Sequence, residues 1–127
     1  MGKINVVPSG QACGAEVTGF DLSQPLGDET LAAVEAAWLE YHVLAFPEQK
    51  LNSDQLEAFA AQFGELGKDP FFNPIAGRKY IAAVKREATD TNKIFAEFWH
   101  SDWSFMPQPP RGTVLYALDI PPHGGNT

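Results

Sequence analysis

His100 and Asp102 stand two residues apart in Phe98-Trp99-His100-Ser101-Asp102-Trp103. On a β-strand, residues i and i+2 project from one face, so an imidazole and a carboxylate at this spacing converge. A nitrogen and an oxygen donor side by side make two corners of a facial 2-His-1-carboxylate set. Such a set leaves three coordination positions open, which suits a non-haem Fe(II) that must bind a co-substrate and O2. Trp99, Trp103 and Phe105 then face the other way, where they are expected to pack as core and keep the site dry. The spacing leaves a second reading open, a His–Asp hydrogen bond on a strand without a metal. On spacing alone that is the commoner arrangement.

Other reactive side chains are less suggestive. His42 sits at a helix–strand junction among apolar residues and is expected to be a satisfied core histidine. His123 lies in the turn-rich Pro121-Pro122-His123-Gly124-Gly125, where exposure is the default, although it is a candidate third ligand. Cys13 is expected to be a small buried hydrophobe. Glu65 and Asp69 make no convincing acid/base dyad. Gly124-Gly125-Asn126-Thr127 completes no phosphate-loop pattern.

Several elements must position these residues. Lys3 to Val7 and Ala15 to Phe20 read as strands around a Pro-Ser-Gly turn. Leu31, Val34, Trp38 and Tyr41 recur at helical spacing, with Asp28 as the expected N-cap. Val43 to Phe46 reads as a buried strand that Pro47 ends. The next helix has Asn52 and Gln55 as a capping box, Leu51 and Leu56 as a hydrophobic staple, and Gly64 as its C′ residue. Its apolar face is Leu56, Phe59, Ala60 and Phe63, which is expected to be core. Beyond Gly67, loops dominate, with strands expected at Tyr80 to Val84 and Thr113 to Leu118. The order implies an α+β fold with helices outside a growing sheet.

Composition narrows the classes. The chain has 127 residues, 44% of them hydrophobic and 20% charged, and a net charge of −7. No apolar run approaches the roughly 20 residues of a membrane span, and no secretory signal is expected. The acidic balance argues against a nucleic-acid partner. The single cysteine fits a reducing compartment, so a cytoplasmic protein is expected.

Ordered blocks then point to a family. Trp99-His100-Ser101-Asp102-Trp103-Ser104-Phe105, Pro109-Pro110, Pro121 and Gly124-Gly125-Asn126-Thr127 together resemble the core signature of the TauD/TfdA family of taurine and 2,4-dichlorophenoxyacetate dioxygenase relatives. Gly14 to Leu22, Tyr41 to Phe46 and Phe59 to Leu66 resemble upstream blocks of that family, so the likeness extends from about Val6 onward. The resemblance implies an Fe(II)- and 2-oxoglutarate-dependent dioxygenase. It also implies an α+β fold built on a double-stranded β-helix (jelly roll, clavaminate synthase-like) with flanking helices. Its chemistry is oxidative decarboxylation of 2-oxoglutarate to succinate and CO2, coupled to hydroxylation of a small organic substrate by O2. Carried over by position, His100 and Asp102 are iron ligands, and Thr127 contacts 2-oxoglutarate.

Two departures from the family pattern matter. Where the taurine-using branch has a His, a Tyr and an Asn, this chain has Asp69, Phe72 and Ala96. These three, with Trp103 beside the motif, are the candidate substrate contacts. Asp69 would repel a sulfonate, and Phe72 and Ala96 offer it no polar group, which points away from taurine. The family's distal histidine and its 2-oxoglutarate-binding arginine lie beyond the Gly-Gly-x-Thr block. Residues 1–127 are therefore expected to be the N-terminal portion of the domain with the C-terminal half absent. The isolated chain is expected to be inactive, and poorly soluble or homo-oligomeric, because strands are left unpaired. The alternatives are a non-catalytic binding or scaffold module, and a short metal-binding protein that uses His100, Asp102 and His123.

Overall fold

The computed structural model describes residues 3–93 and 98–124. The described chain divides into two compact units, one ending at Leu66 and the other starting at Gly67.

In the first unit, β1 (Asn5–Pro8) and β2 (Ala15–Thr18) pair antiparallel, with Val6 opposite Val17 and Val7 opposite Glu16. The loop between them is closed by the Ser9 N–H, which donates to the Gly14 carbonyl at 2.9 Å. The Ser9 hydroxyl also donates to the Cys13 carbonyl at 2.7 Å. Strand alternation follows from the pleat: Ala15 and Val17 are buried while Glu16 points out. Directly after β2 the chain passes through Gly19 at φ 105°, where a Cβ would come within 3.3 Å of the Lys3 carbonyl oxygen. Glycine supplies both that conformation and that close approach.

Helix α1 (Asp28–Tyr41) then crosses back to β3 (Leu44–Ala45), which pairs parallel with β2, completing a three-stranded sheet in the order β1-β2-β3. A parallel pair needs such a crossover, and a helix is the usual one. Val34 and Ala37 are the buried residues of α1. Helix α2 (Ser53–Ala61) starts with the expected capping box. The Gln55 N–H donates to Asn52 Oδ1 at 2.9 Å, and the Asn52 N–H donates to Gln55 Oε1 at 2.8 Å. Two donors that the first turn would otherwise leave orphaned are thereby satisfied.

The buried core of this unit is Ala15, Val17, Leu22, Val34, Ala37 and Phe59, and a run of half-buried aromatic rings extends from Phe59. Phe20 packs on Phe46, Phe46 on Phe59, Phe59 on Phe63 and Phe63 on Trp38, with centroids 5.2–6.0 Å apart and edge-to-face tilts. That geometry places the positive ring edge against a negative face. Two glutamines fasten the loop between β2 and α1: the Leu22 N–H donates to Gln49 Oε1 and the Leu26 N–H to Gln62 Oε1, both at 2.9 Å.

Several sequence expectations need correction. Gly27, not Asp28, is the N-cap of α1, and no side chain caps it; Asp28 and Glu29 instead place negative charge in the first turn, where the helix dipole favours it. The 43–46 segment is not buried. Only Leu44 and Ala45 pair, at a sheet edge, and Val43 is exposed. His42 is exposed rather than a core histidine. It closes α1 at φ 67°, with its carbonyl accepting the Trp38 indole N–H at 3.1 Å. Cys13, in the loop between β1 and β2, is exposed rather than buried. Gly64 lies two residues past the cap Gln62, one position beyond C′.

The second unit has no helix or strand ladder among its described residues. The expected strand at Tyr80 to Val84 reduces to one antiparallel bridge, Pro74 to Ala82, beside an Ile75 N–H to Ile81 carbonyl bond of 2.8 Å. The expected strand at Thr113 to Leu118 is irregular. β-branched and aromatic residues express a preference for a pleated surface, but a strand needs a neighbour in register to realise it. Elsewhere the unit is tied by local bonds, such as the Arg86 guanidinium donating to the carbonyls of Asp90 and Asn92 at 3.1 Å each. Among the described residues, no helix is long and apolar enough to cross a membrane.

Candidate metal centre

His100 and Asp102 do meet, but not on a strand. His100 sits in irregular backbone, and Asp102 opens a turn that runs through Phe105. His100 Nε2 lies 3.0 Å from Asp102 Oδ1, and the two side chains are 49% and 59% exposed. The other ring nitrogen, Nδ1, is 2.7 Å from the Phe98 carbonyl oxygen. A carbonyl only accepts, so Nδ1 carries the hydrogen, and in the neutral ring Nε2 then presents its lone pair to the carboxylate. Two acceptors facing each other at this distance call for a cation between or beside them, either a proton or a metal ion. The His100 pKa is accordingly raised. The Phe98 carbonyl is the largest cause, partial desolvation opposes it, and the charge and hydrogen bond of Asp102 add to the rise.

The donor chemistry fits an iron site in two of its corners. Ligands at about 2.1 Å from a metal and at right angles stand roughly 3 Å apart, which is the separation found here. A metal-binding imidazole usually donates its second N–H to a carbonyl or carboxylate, which fixes the tautomer. The Phe98 carbonyl meets that requirement. Among the described residues, no group of three His, Cys, Asp or Glu side chains could hold a metal ion. His123 is therefore not brought to the pair, and the reading of a self-contained His100, Asp102 and His123 centre is corrected. It is exposed, as its Pro- and Gly-rich loop suggested.

Around the pair, the expected aromatic core does not form. Trp99 is wholly exposed and Phe105 is exposed. Trp103 is half-buried and tilts towards Phe105 at 6.3 Å. The cause is the turn, which ends the alternation that a strand would have imposed. Phe105 packs edge-to-face on Phe71 at 5.7 Å. Phe71 thus joins the 69–72 segment to the turn that follows His100 and begins at Asp102, whereas the family pattern points to its neighbour Phe72. Apolar texture alone marks Phe71 in the sequence.

Asp69 has a structural duty. Its Oδ1 accepts the N–H groups of Phe71 and Phe72 at 2.7 and 2.8 Å, the local turn that a short carboxylate forms with the backbone ahead of it. Ala96 and Thr127 lie outside the described residues. An open depression of about 480 Å³ belongs to the first unit, lined in part by Phe20, Asp21, Ser23, Pro47 and Lys50. Asp21 is engaged there by the Ser23 N–H at 2.8 Å, and hydrogen bonds from Ser23 hold its pKa below the usual carboxylate value.

Comparison with known proteins gives a consistent picture. The family model described as taurine catabolism dioxygenase TauD, TfdA family matches residues 5–127. An (S)-phenoxypropionate/alpha-ketoglutarate-dioxygenase from Delftia acidovorans is 34% identical over 98% of the chain and 45% of its own length. A crystal structure provisionally assigned as an alpha-ketoglutarate-dependent taurine dioxygenase, from Burkholderia xenovorans, superposes with a TM-score of 0.59. It shows 37% identity, covering 66% of this chain and 32% of that one. AAD-2, solved with Mn(II) and N-oxalylglycine, superposes at 0.50 with 32% identity, over 52% of this chain and 26% of its own. The chain thus spans less than half the length of these proteins.

Proposed function

This chain belongs to the taurine catabolism dioxygenase TauD, TfdA family, and from that premise we propose that it is the N-terminal portion of an Fe(II)- and 2-oxoglutarate-dependent dioxygenase domain. Its fold in the whole domain is a double-stranded β-helix, and its reaction is hydroxylation of a small organic substrate by O2. The observation that carries the reading is the 3.0 Å approach of His100 Nε2 to Asp102 Oδ1 with Nδ1 tied to the Phe98 carbonyl. When bound, the metal supplies a place where a chelating co-substrate and O2 meet. The protein's part is to hold the two donors side by side, with the imidazole locked in one tautomer.

Thr127 is the proposed contact for 2-oxoglutarate. Asp69, Phe72, Ala96 and Trp103 are the proposed substrate contacts. With Asp69 Oδ1 engaged by the backbone and an apolar Phe72 next to it, a substrate with an apolar body fits better than taurine. The named substrate of the Delftia relative makes aryloxyalkanoates the first class to assay. The third iron ligand and the anchor for 2-oxoglutarate are proposed to belong to the rest of the domain, and the cell compartment to be the cytoplasm.

Mn(II) added to the 127-residue chain is expected to broaden the His100 imidazole resonances before those of His42 and His123, and Asp102→Ala to abolish that preference. Equal broadening of all three histidines would sink the metal reading. The chain alone is expected to form no succinate from 2-oxoglutarate, because losing one ligand or its support costs about 10–100-fold or more in affinity or activity. Turnover by the chain alone would overturn its standing as a partial domain.

A further inference from the structure

The residue after the carboxylate has an uncommon backbone. Trp103 sits at φ 59°, the left-handed region where a bulky side chain is disfavoured and persists only when its surroundings hold it. Three contacts hold it here. Its indole Nε1–H donates to Thr113 Oγ1 at 3.2 Å, ten residues further on. Its carbonyl accepts the Met106 N–H at 2.9 Å. Its ring leans on Phe105, which packs on Phe71.

The turn thus begins at Asp102 and is fixed at its next residue by a side chain anchored outside the turn. An untethered loop this exposed would let the carboxylate swing away from His100. On the metal-site reading above, we propose that Trp103 is a positioning residue, its indole tethered to Thr113 so that the left-handed turn keeps Asp102 against His100. Thr113 is the second half of the device. The pair acts on the backbone geometry of the His100–Asp102 segment, a role that adds to the substrate contact proposed above for the Trp103 ring.

The test uses Mn(II) as the probe and the 127-residue chain as the protein. The readout is the Mn(II) concentration that half-broadens the His100 imidazole signals, with His42 in the first unit as an internal reference for folding. Trp103→Phe keeps the ring and removes the N–H, while Thr113→Val keeps the shape and removes the hydroxyl. Each is expected to raise that concentration by about 10-fold, and Thr113→Ser to restore it. A Trp103→Phe variant with a displaced His42 signal leaves the decision to Thr113→Val, an exposed position. Native Mn(II) response in both variants, or failure of Thr113→Ser to restore it, overturns the tether alone. No preferential broadening of His100 in the unaltered chain overturns the tether and the metal reading together.

Discussion

The unit ending at Leu66 and the unit starting at Gly67 treat their apolar side chains in opposite ways. Among the described residues, the six buried hydrophobic ones, from Ala15 to Phe59, all lie in the first. Among its described residues the second buries none, although it carries Phe71, Phe98, Trp99, Phe105, Leu115, Leu118 and Ile120. The first unit is held by a sheet, two helices and a run of packed rings; the described residues of the second are held by turns, an antiparallel bridge, hydrogen bonds and the ring contacts of Phe71, Phe105 and Trp103. Yet the candidate iron ligands are in the second. The buried core and the candidate site therefore lie on different stretches of chain, and a site on a weakly packed segment needs local devices to stay in shape.

The sharpest way to break this contrast is Phe59→Ala. Phe59 is 4% exposed and touches two rings of the aromatic run, so its truncation is expected to cost about 3–5 kcal/mol in urea denaturation. A loss under 1 kcal/mol would mean that the first unit is not the seat of stability. Next in size is Asn52→Ala, which removes the α2 capping box and is expected to cost about 1 kcal/mol by the same measurement. Trp99→Ser should change stability by less than about 0.5 kcal/mol, since a wholly exposed ring has nothing to lose. A larger effect would reveal packing in the second unit.

The smallest expected effect is electrostatic. The folded pKa of His100 is raised above the ordinary value of about 6.5. Protonation therefore favours the folded pair. The contribution is complete below the unfolded pKa and is lost as pH rises through the folded one. In an NMR titration of the metal-free chain, the His100 midpoint is expected above those of free histidine peptides. Asp102→Asn should lower it only part of the way, because the Phe98 carbonyl remains. A midpoint at or below the ordinary value would separate the two side chains in solution.

Much of the first unit was legible in the sequence because its signals are local. The Asn52–Gln55 capping box depends on four consecutive residues, and the spacing of Phe59 and Phe63 depends on helical period alone. The hairpin and both helices followed from the same short-range rules. The second unit resisted for the opposite reason. Tyr80 to Val84 and Thr113 to Leu118 have strand composition, but pairing partners are a property of the whole fold. Cys13 and His42 misled because residue type gives average burial, whereas a loop and a helix end put these two outside.

For the site, the residue types and the two-residue spacing of His100 and Asp102 determined that an imidazole and a carboxylate could share a cation. The family blocks followed from sequence as well. Only the tertiary structure decided how the pair meets: across irregular backbone entering a turn, with the imidazole fixed by the Phe98 carbonyl and the next residue tethered to Thr113. Strand periodicity reaches the same convergence by pleating, but here hydrogen bonds to groups two and ten residues away produce it. Spacing along the chain could state that the two donors were neighbours; the direction in which each pointed depended on those bonds.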